Sequence, residues 1–180
     1  IPASEFVTMA IVAPLAEELA KASVFILVAT GARKLELTSL TDHIFYAGIC
    51  ALGFAFVENL GYFALSSSAG EFVVMALVRT GFGVFGHPLY TTATAVGIWA
   101  WRTKGGLWKA AVGYIAACLL HGLWNGGPTL LAGSLGLDDT GQLAAMILVY
   151  IVLFVPVFIG TIIMTTRNRR NEYEAVRSKL

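Results

Sequence analysis

The sequence predicts an all-α fold: a polytopic bundle of about five transmembrane helices, kinked around a polar site near the middle of the membrane. Of the 180 residues, 57% are hydrophobic and only 13% are charged. That is too little charge to cover the surface of a soluble domain of this size. The apolar residues form blocks near or above the roughly 20 residues that span a bilayer as a helix. Several ionisable residues lie inside these blocks, although each costs on the order of 3 kcal/mol there.

We expect spans at roughly 4–30, 44–66, 72–101, 107–134 and 142–166, from the length that a bilayer requires. Residues 1–166 then form one transmembrane domain, and residues 167–180 form a basic cytoplasmic tail. Because the chain begins at Ile1, we expect further helices before it. Cys50 and Cys118 fall within spans, where we expect them to pack as small apolar residues.

The placement of basic residues predicts the orientation of the chain. Lysine and arginine occur after spans one, three and five, at Arg33, Lys34, Arg102, Lys104, Lys109, Arg167, Arg169 and Arg170. The other two connections contain neither residue type. The positive-inside rule therefore places the Ile1 end outside and the tail in the cytoplasm of a multi-pass protein in the cell membrane. A net charge of +1, without a basic and aromatic stripe, gives no indication of nucleic-acid binding.

Span one carries Glu17, Glu18 and Lys21 close to its middle. Glu17 and Lys21 are four residues apart and share a helix face, so we expect them to form an ion pair. Glu18 points about 100° away and has no partner on its own helix. This pair alone therefore does not explain why the helix has two glutamates.

Spans two, three and four each add ionisable residues at a similar depth. Glu58 lies in span two, His87 in span three and His121 in span four. Asn125 follows His121 by four residues and so shares its helix face. Since unrelated structural pairs would not be expected to share one depth, we interpret these residues and Glu17 as a single polar site.

Prolines form a second pattern near these residues. Pro14, Pro88 and Pro128 lie beside the polar residues of spans one, three and four, whereas Pro156 in span five has no ionisable neighbour. A proline inside a helix leaves a carbonyl without its donor, which is tolerated in lipid only beside protein or a water cavity. The prolines therefore predict a wet cavity. We expect Arg79 to pair with Glu71 or to extend toward the interface.

This set of residues has the chemistry for hydrolysis. A carboxylate in an apolar setting acts as a general base toward water, a histidine orients that water, and an asparagine amide stabilises an oxyanion. Glu58, His87 and His121 also form a plausible zinc triad with an open position for water. Both the metal-dependent and the metal-free mechanisms stay open, because the ligands come from different helices.

Four motifs resemble those of the PrsW family of bacterial membrane proteases, which perform site-one cleavage of an anti-sigma factor. They are EELAK at 17–21, FAFVEN at 54–59, GHPLYTTATAVG at 86–97 and HGLWN at 121–125. The set also resembles, more distantly, the CAAX prenyl endopeptidase and bacteriocin-processing superfamily. Lys21, where that superfamily often has arginine, favours the PrsW resemblance, as does Gly83, four residues before His87.

The resemblance implies a role for each matching position. Glu17 corresponds to the catalytic glutamate with Glu18 beside it, and His87 to the histidine that helps to activate water. His121 and Asn125 correspond to the oxyanion-stabilising pair. Lys21, Glu58 and Asn59 would support them, with Glu58 belonging to the PrsW pattern alone. The expected partners are a membrane-anchored protein substrate and the lipid bilayer, and the expected location is the bacterial cytoplasmic membrane.

Two other functions compete with an endopeptidase. Carboxylates and histidines near the middle of the membrane on kinked helices also suit a transporter or a proton relay. We find no inverted repeat within the chain, which argues against a carrier. A catalytically inactive relative, acting as a scaffold or an immunity factor, is the third alternative, although all the proposed catalytic positions are occupied.

Overall fold

A computed structural model of the chain describes residues 1–31 and 36–178, which form five long helices and no strand. Arg33 and Lys34, used above for orientation, lie outside these residues. Helix α1 comprises Ala3–Val7, Thr8–Val12 and Ala13–Thr30, and α2 is Leu40–Ala64. Helix α3 comprises Ala69–Val78, Arg79–Gly83 and Val84–Lys104, and α4 is Trp108–Leu135. Helix α5 comprises Asp139–Val149, Tyr150–Phe154 and Val155–Arg177. The predicted helical bundle is confirmed.

Within the described part of the chain, three helical stretches are long and apolar enough to cross a membrane: Leu40–Ala64, Ala69–Lys104 and Thr140–Arg177. Helices α1 and α4 are also long enough. They carry more polar groups, because α1 contains Glu17, Glu18 and Lys21 and α4 contains His121 and Asn125. The two helices that are least apolar are therefore the ones that bring most of the candidate site residues.

Side chains and glycines in the loops define where the helices begin and end. A capping box starts α2, in which Ser39 accepts from Asp42 N and Asp42 accepts from Ser39 N. Asp138 caps α5 by accepting from Gly141 N at 2.9 Å. Helix α4 ends at Gly136, whose positive φ of 62° suits a residue without a Cβ. The helix boundaries therefore follow local sequence signals.

Three helices contain a π turn shortly before a proline. The turns are Thr8–Val12 before Pro14, Arg79–Gly83 before Pro88, and Tyr150–Phe154 before Pro156. Pro128 instead lies inside a regular stretch of α4. Pro156 lacks an ionisable neighbour in the sequence, but its π turn still reaches the polar site. The π turn before it carries Phe154, which is buried against the Tyr90 ring at 5.3 Å.

Small residues let the helices approach closely, while large apolar side chains face outward. Ala47, Ala51 and Ala55 on one face of α2 are fully buried. A Cβ on Gly97 of α3 would lie 2.9 Å from Gly113 Cα of α4, so both positions require glycine. Phe45, Ile49, Leu52, Phe56 and Leu60 lie on the exposed side of α2. This pattern of a small-residue interior and a large apolar exterior is typical of a membrane bundle.

Helix α1 packs against α4 through glycines of the HGLWNG segment. A Cβ on Gly122 would lie 2.4 Å from the Ala10 carbonyl oxygen, and one on Gly126 would lie 2.7 Å from Ala10 Cβ. Since His121 and Asn125 directly precede these glycines, the same close approach brings both polar side chains to α1.

Candidate active site

The structure brings the candidate residues of four helices into one connected cluster. Glu17, Glu18 and Lys21 come from α1, Glu58 and Asn59 from α2, His87 from α3, and His121 from α4. The centroids of the His87 and His121 rings lie 5.5 Å apart. The two histidines, Glu18 and Lys21 are buried. The single polar site inferred from the common depth of these residues is therefore present in the fold.

Lys21 pairs with Glu18, and the expectation that it pairs with Glu17 is wrong. Its Nζ lies 2.7 Å from Glu18 Oε1, and neither side chain is exposed. The same Nζ lies 2.8 Å from His87 Nδ1 and 4.5 Å from the centre of the Phe54 ring. The ammonium group thus has three partners, which offset the cost of burying its charge. The helix therefore needs Glu18 to neutralise Lys21, and the Glu17 carboxylate is available for another function.

These contacts assign the tautomers of both histidines. An ammonium group has no lone pair, so Lys21 Nζ donates to His87 Nδ1 and the ring proton resides on Nε2. That Nε2–H lies 3.1 Å from Glu58 Oε2. His121 Nδ1 lies 3.0 Å from Glu18 Oε1 and donates to this carboxylate, which leaves a lone pair on His121 Nε2. His87 therefore presents a donor, and His121 presents an acceptor.

Glu17 faces the free nitrogen of His121 across a short gap. Glu17 Oε2 lies 3.6 Å from His121 Nε2, and the oxygen is buried with no hydrogen-bond partner among the described residues. Two such groups this close share a proton carried by one of them, or hold a donor or a cation between them. Both residues line a cavity of about 770 Å³, together with Glu58, Arg79 and His87. The gap between Glu17 and His121 is therefore a place for water or a metal ion at the cavity wall.

Arg79 binds residues of α2, so the expected pair with Glu71 is wrong. Arg79 Nη2 donates to Glu58 Oε2 at 2.7 Å, and Nε donates to Asn59 Oδ1 at 2.6 Å. Its guanidinium carbon lies 3.7 Å from the centre of the Tyr62 ring. Glu71 instead accepts from the Ser67 backbone N–H at the start of its own helix. Sequence reasoning missed this contact because Arg79 and Glu58 lie on different helices.

Asn125 donates to a backbone carbonyl that has no donor within the first π turn. The Ala13 N–H donates to the Thr8 carbonyl, and Pro14 has no N–H for the next carbonyl, Met9 O. Asn125 Nδ2 donates to that oxygen at 3.0 Å. Asn125 also lines the cavity. One N–H of the Asn125 amide therefore stabilises α1. The resemblance implies that Asn125 also stabilises an oxyanion.

Three residues of the site were not identified from the sequence. The Phe54 ring lies against Lys21, and the Thr91 hydroxyl donates to Glu18 Oε2 at 3.0 Å. The Tyr90 ring stacks on His121 with centroids 4.6 Å apart and an interplanar angle of 16°. Phe54 belongs to the FAFVEN motif, and Tyr90 and Thr91 belong to the GHPLYTTATAVG motif. Helical spacing was the available signal, since Phe54 precedes Glu58 by four residues and Thr91 follows His87 by four.

Glu17, His87 and His121 fit a metal ion, since one ligand atom of each lies within 4.8 Å of the others. The set expected from the sequence contained Glu58 in place of Glu17. In the structure, Glu58 instead forms an ion pair with Arg79. His121 Nε2 offers a lone pair, and its Nδ1–H on Glu18 is the support that metal-bound histidines normally have. His87 would offer Nε2 in the tautomer that carries its proton on Nδ1, in which Lys21 no longer donates to Nδ1. Two imidazoles and one carboxylate suit zinc.

The sequence matches the family model described as PrsW family intramembrane metalloprotease over residues 2–161. No curated protein and no solved structure matches the chain. The matched range contains every residue of the cluster, and the apolar helices provide the membrane-embedded bundle that such a protease requires. The resemblance seen in the four motifs is thereby confirmed: the chain is a multi-pass membrane protein that belongs to the PrsW family of intramembrane proteases.

Proposed function

We propose that the chain is an endopeptidase that cleaves a membrane-anchored protein, such as an anti-sigma factor, with a water molecule activated by Glu17. The observation that carries this proposal is Glu17 Oε2, which has no hydrogen-bond partner in the described part of the chain and lies 3.6 Å from His121 Nε2 at the wall of a cavity. A water molecule has two O–H donors, and this gap offers two acceptors. Such a water would be oriented before the substrate arrives.

The reaction needs one proton to move twice. The water oxygen attacks the carbonyl carbon of the scissile peptide bond while Glu17 accepts a water proton and His121 Nε2 holds the other O–H. The carbonyl oxygen becomes an oxyanion in the tetrahedral intermediate. Glu17 then returns its proton to the amide nitrogen as the carbon–nitrogen bond breaks. The products are a carboxylic acid and an amine, and Glu17 regains its charge.

This mechanism exchanges the roles that the resemblance implies for the two histidines. His121 holds the water, because its Nδ1–H is bound to Glu18 and its Nε2 carries the lone pair. His87 stabilises the oxyanion, because Lys21 at Nδ1 leaves the proton on Nε2. Glu18 and Lys21 therefore act as positioning residues that keep one ring an acceptor and the other a donor.

Arg79 and Glu58 support the donor role of His87. The His87 Nε2–H lies 3.1 Å from Glu58 Oε2, and Arg79 lies 2.7 Å from the same oxygen. When the N–H turns to a substrate oxyanion, Arg79 continues to neutralise the Glu58 carboxylate. Without Arg79, that carboxylate would keep the N–H for itself and would leave a half-buried charge unpaired.

A metal ion is compatible with the same residues. Glu17, His87 and His121 would hold it, and a bound metal would polarise the carbonyl and lower the pKa of water. Elemental analysis of the purified protein tests this directly. We expect a metal, if one is held, at about one equivalent in the wild type and at a much lower level in the His121→Ala variant. Equal content in both would remove these ligands from the proposal.

The cavity predicts where cleavage takes place. It extends from Glu17 and His121 toward Ser4 and Glu5 at the start of α1, which the positive-inside rule places at the outer face. We propose that the scissile bond enters from that side. A membrane-anchored substrate would then be cut next to the outer boundary of its span.

The test compares membrane proteins from cells that express the wild type or the Glu17→Gln variant, by mass spectrometry of protein termini. Glutamine keeps the size of the side chain but cannot accept the proton, so we expect cleavage to fall by about 10²- to 10⁴-fold. New termini next to the outer end of a single-span protein, present only with the wild type, would support the proposal and identify the substrate.

The matched control is Glu5→Gln, which removes a carboxylate at the mouth of the same cavity but outside the cluster. We expect it to cleave like the wild type. If Glu17→Gln inserts stably and yields the same termini as the wild type, Glu17 is not the base. If neither protein produces new termini, the transporter and scaffold alternatives gain support.

A further inference from the structure

We propose that the chain binds the phosphate headgroup of an anionic phospholipid in a second cavity, at the end of the bundle opposite the mouth of the catalytic cavity. This cavity has a volume of about 670 Å³ and lies between the start of α2 and the last turns of α5. Thr41 and Phe45 line it from α2, and Arg169, Arg170 and Tyr173 line it from α5. None of these residues belongs to the catalytic cluster.

The charge of the cavity favours an anion. Arg169 has no ion-pair partner among the described residues. Arg170 Nε donates to Glu174 Oε1 at 2.8 Å, but both side chains are largely exposed, so the pair is weak and most of the guanidinium donors stay available. Guanidinium groups bind phosphate oxygens in a bidentate manner. Two adjacent arginines at the wall of one cavity therefore suit a phosphate group.

An unpartnered hydroxyl points to the same ligand. Thr41 Oγ1 is buried and has no hydrogen-bond partner within residues 1–31 and 36–178, although it lines this cavity in the first turn of α2. A buried polar atom of this kind normally has a partner. The nearby Asp42 carboxylate does not oppose an anion strongly, because it accepts from Ser39 N and from Thr38 N and Oγ1. Thr41 can thus donate to a headgroup oxygen.

The position of the cavity favours a lipid over a soluble anion. Ile44 and Phe45 continue its wall into the exposed apolar face of α2, where acyl chains would lie. On α5 the apolar segment gives way to Thr165 and Thr166 and then to the arginines, which marks the membrane boundary. The positive-inside rule places this boundary in the cytoplasmic leaflet, which holds anionic lipids.

The experiment measures lipid retention by the full chain in detergent at about 150 mM salt, which screens exposed charges beyond roughly 8 Å. Phosphatidylglycerol or phosphatidylcholine is added, and bound lipid is counted by native mass spectrometry. We expect the Arg169→Gln/Arg170→Gln double variant to bind phosphatidylglycerol about tenfold more weakly than the wild type. Phosphatidylcholine should bind weakly to both proteins.

The matched control is Arg167→Gln/Arg177→Gln, which removes the same charge from the same helix but from positions that do not line the cavity. It should stay within about threefold of the wild type, since screened exposed charges contribute little. Thr41→Val should lower phosphatidylglycerol binding without lowering the thermal midpoint of the lipid-free protein, because its hydroxyl bonds to none of the described residues.

Three outcomes would overturn the proposal. Equal losses in the two double variants would show general surface attraction and no site. Equal binding of phosphatidylcholine and phosphatidylglycerol would exclude recognition of the anionic headgroup. If inorganic phosphate alone raises the thermal midpoint as much as phosphatidylglycerol does, the cavity takes a free anion and the lipid assignment fails.

Discussion

At the residue scale, the site depends on how the buried Lys21 distributes its donors. The ammonium group contacts Glu18, His87 and the Phe54 ring, and its side chain is fully buried. A buried ion pair contributes little to stability relative to apolar residues, but breaking one partner leaves an uncompensated charge. Lys21 is therefore better understood as a residue that specifies the arrangement of the site than as a source of stability.

Replacing Lys21 with methionine should destabilise the protein by about 3–5 kcal/mol, because Glu18 is left as an unbalanced buried charge. Adding Glu18→Gln should recover part of that loss, since the charge is then removed. The free energy of unfolding can be measured by titration with sodium dodecyl sulfate. If Lys21→Met is as stable as the wild type, the Glu18 charge is not buried as the structure describes it.

Gly86 makes room for the Tyr90 ring that stacks on His121. A Cβ at Gly86 would lie 2.5 Å from the Tyr90 hydroxyl oxygen, and Tyr90 is too deeply buried to move aside. Gly86→Ala should therefore cost about 1–3 kcal/mol in the free energy of unfolding through overpacking. Adding Tyr90→Phe should recover only part of the loss, because it removes the colliding oxygen but leaves the ring carbon Cζ, 2.9 Å from the added Cβ.

The control for this prediction is Gly53→Ala in the middle of α2, where a Cβ would meet nothing within 4 Å. It should be neutral or stabilising by roughly 0.5–1 kcal/mol, as expected for alanine in a helix. Tyr90→Phe alone should cost little, since the hydroxyl has no hydrogen-bond partner among the described residues. A loss in Gly86→Ala no larger than in Gly53→Ala would rule out this collision.

At the element scale, π turns and prolines shape the walls of the catalytic cavity. Thr8 and Met9 of the first turn and Arg79 and Gly83 of the second line it directly. The third turn packs Phe154 against Tyr90, behind His121. Each interruption leaves carbonyl groups that side chains or water must satisfy. The polar cavity therefore provides the partners that the irregular helices need for their free carbonyl groups.

Asn125→Ala should destabilise the protein by about 1–3 kcal/mol, because the Met9 carbonyl then loses its donor inside the bundle. Unfolding by sodium dodecyl sulfate and turnover per folded molecule should be measured together. Thr129→Val, one turn further along the same cavity wall, is the control and should change neither quantity much. Unchanged stability combined with lost turnover would instead assign Asn125 to the oxyanion alone.

At the scale of the whole molecule, Arg102 and Lys104 at the end of α3, Lys109 at the start of α4 and the arginines at the end of α5 lie at one end of the bundle. The contact of Arg102 Nη1 with His43 Nε2 at 3.1 Å joins the end of α3 to the start of α2 at that same end. The arrangement agrees with the positive-inside prediction for the connections that the structure describes. The cavity lined by Glu17 and His121 opens at the other end.

Cysteine labelling tests this orientation. In a variant with Cys50 and Cys118 replaced by alanine, a cysteine at Ser67 should react with a membrane-impermeant thiol reagent in intact cells. A cysteine at Ser178 should react only after lysis, because the positive-inside rule places the tail in the cytoplasm. Both positions are exposed, so access to the reagent depends on the membrane alone. The reverse labelling pattern would invert the topology and move the proposed cleavage to the cytoplasmic face.

The sequence by itself determined the number of helices, most of their bounds and the ionisable residues that the fold brings together. Composition, span length and capping residues are local properties, so they can be recognised without knowledge of the fold. The four motifs were sufficient to identify the family, and the ionisable residues could be placed at one level because depth follows directly from helical rise. Lipid exposure of the large apolar faces follows from the same pattern.

Only the tertiary structure decided which of these residues contact each other. Glu17 and Glu18 are adjacent, and a rotation of about 100° decides which one pairs with Lys21 and which one faces the cavity. The partners of Arg79, the tautomers of His87 and His121, and the bond from Asn125 to Met9 all join different helices. Such contacts depend on how the helices rotate and cross, and small residues such as Gly97, Gly113 and Gly122 set that packing only once the helices meet.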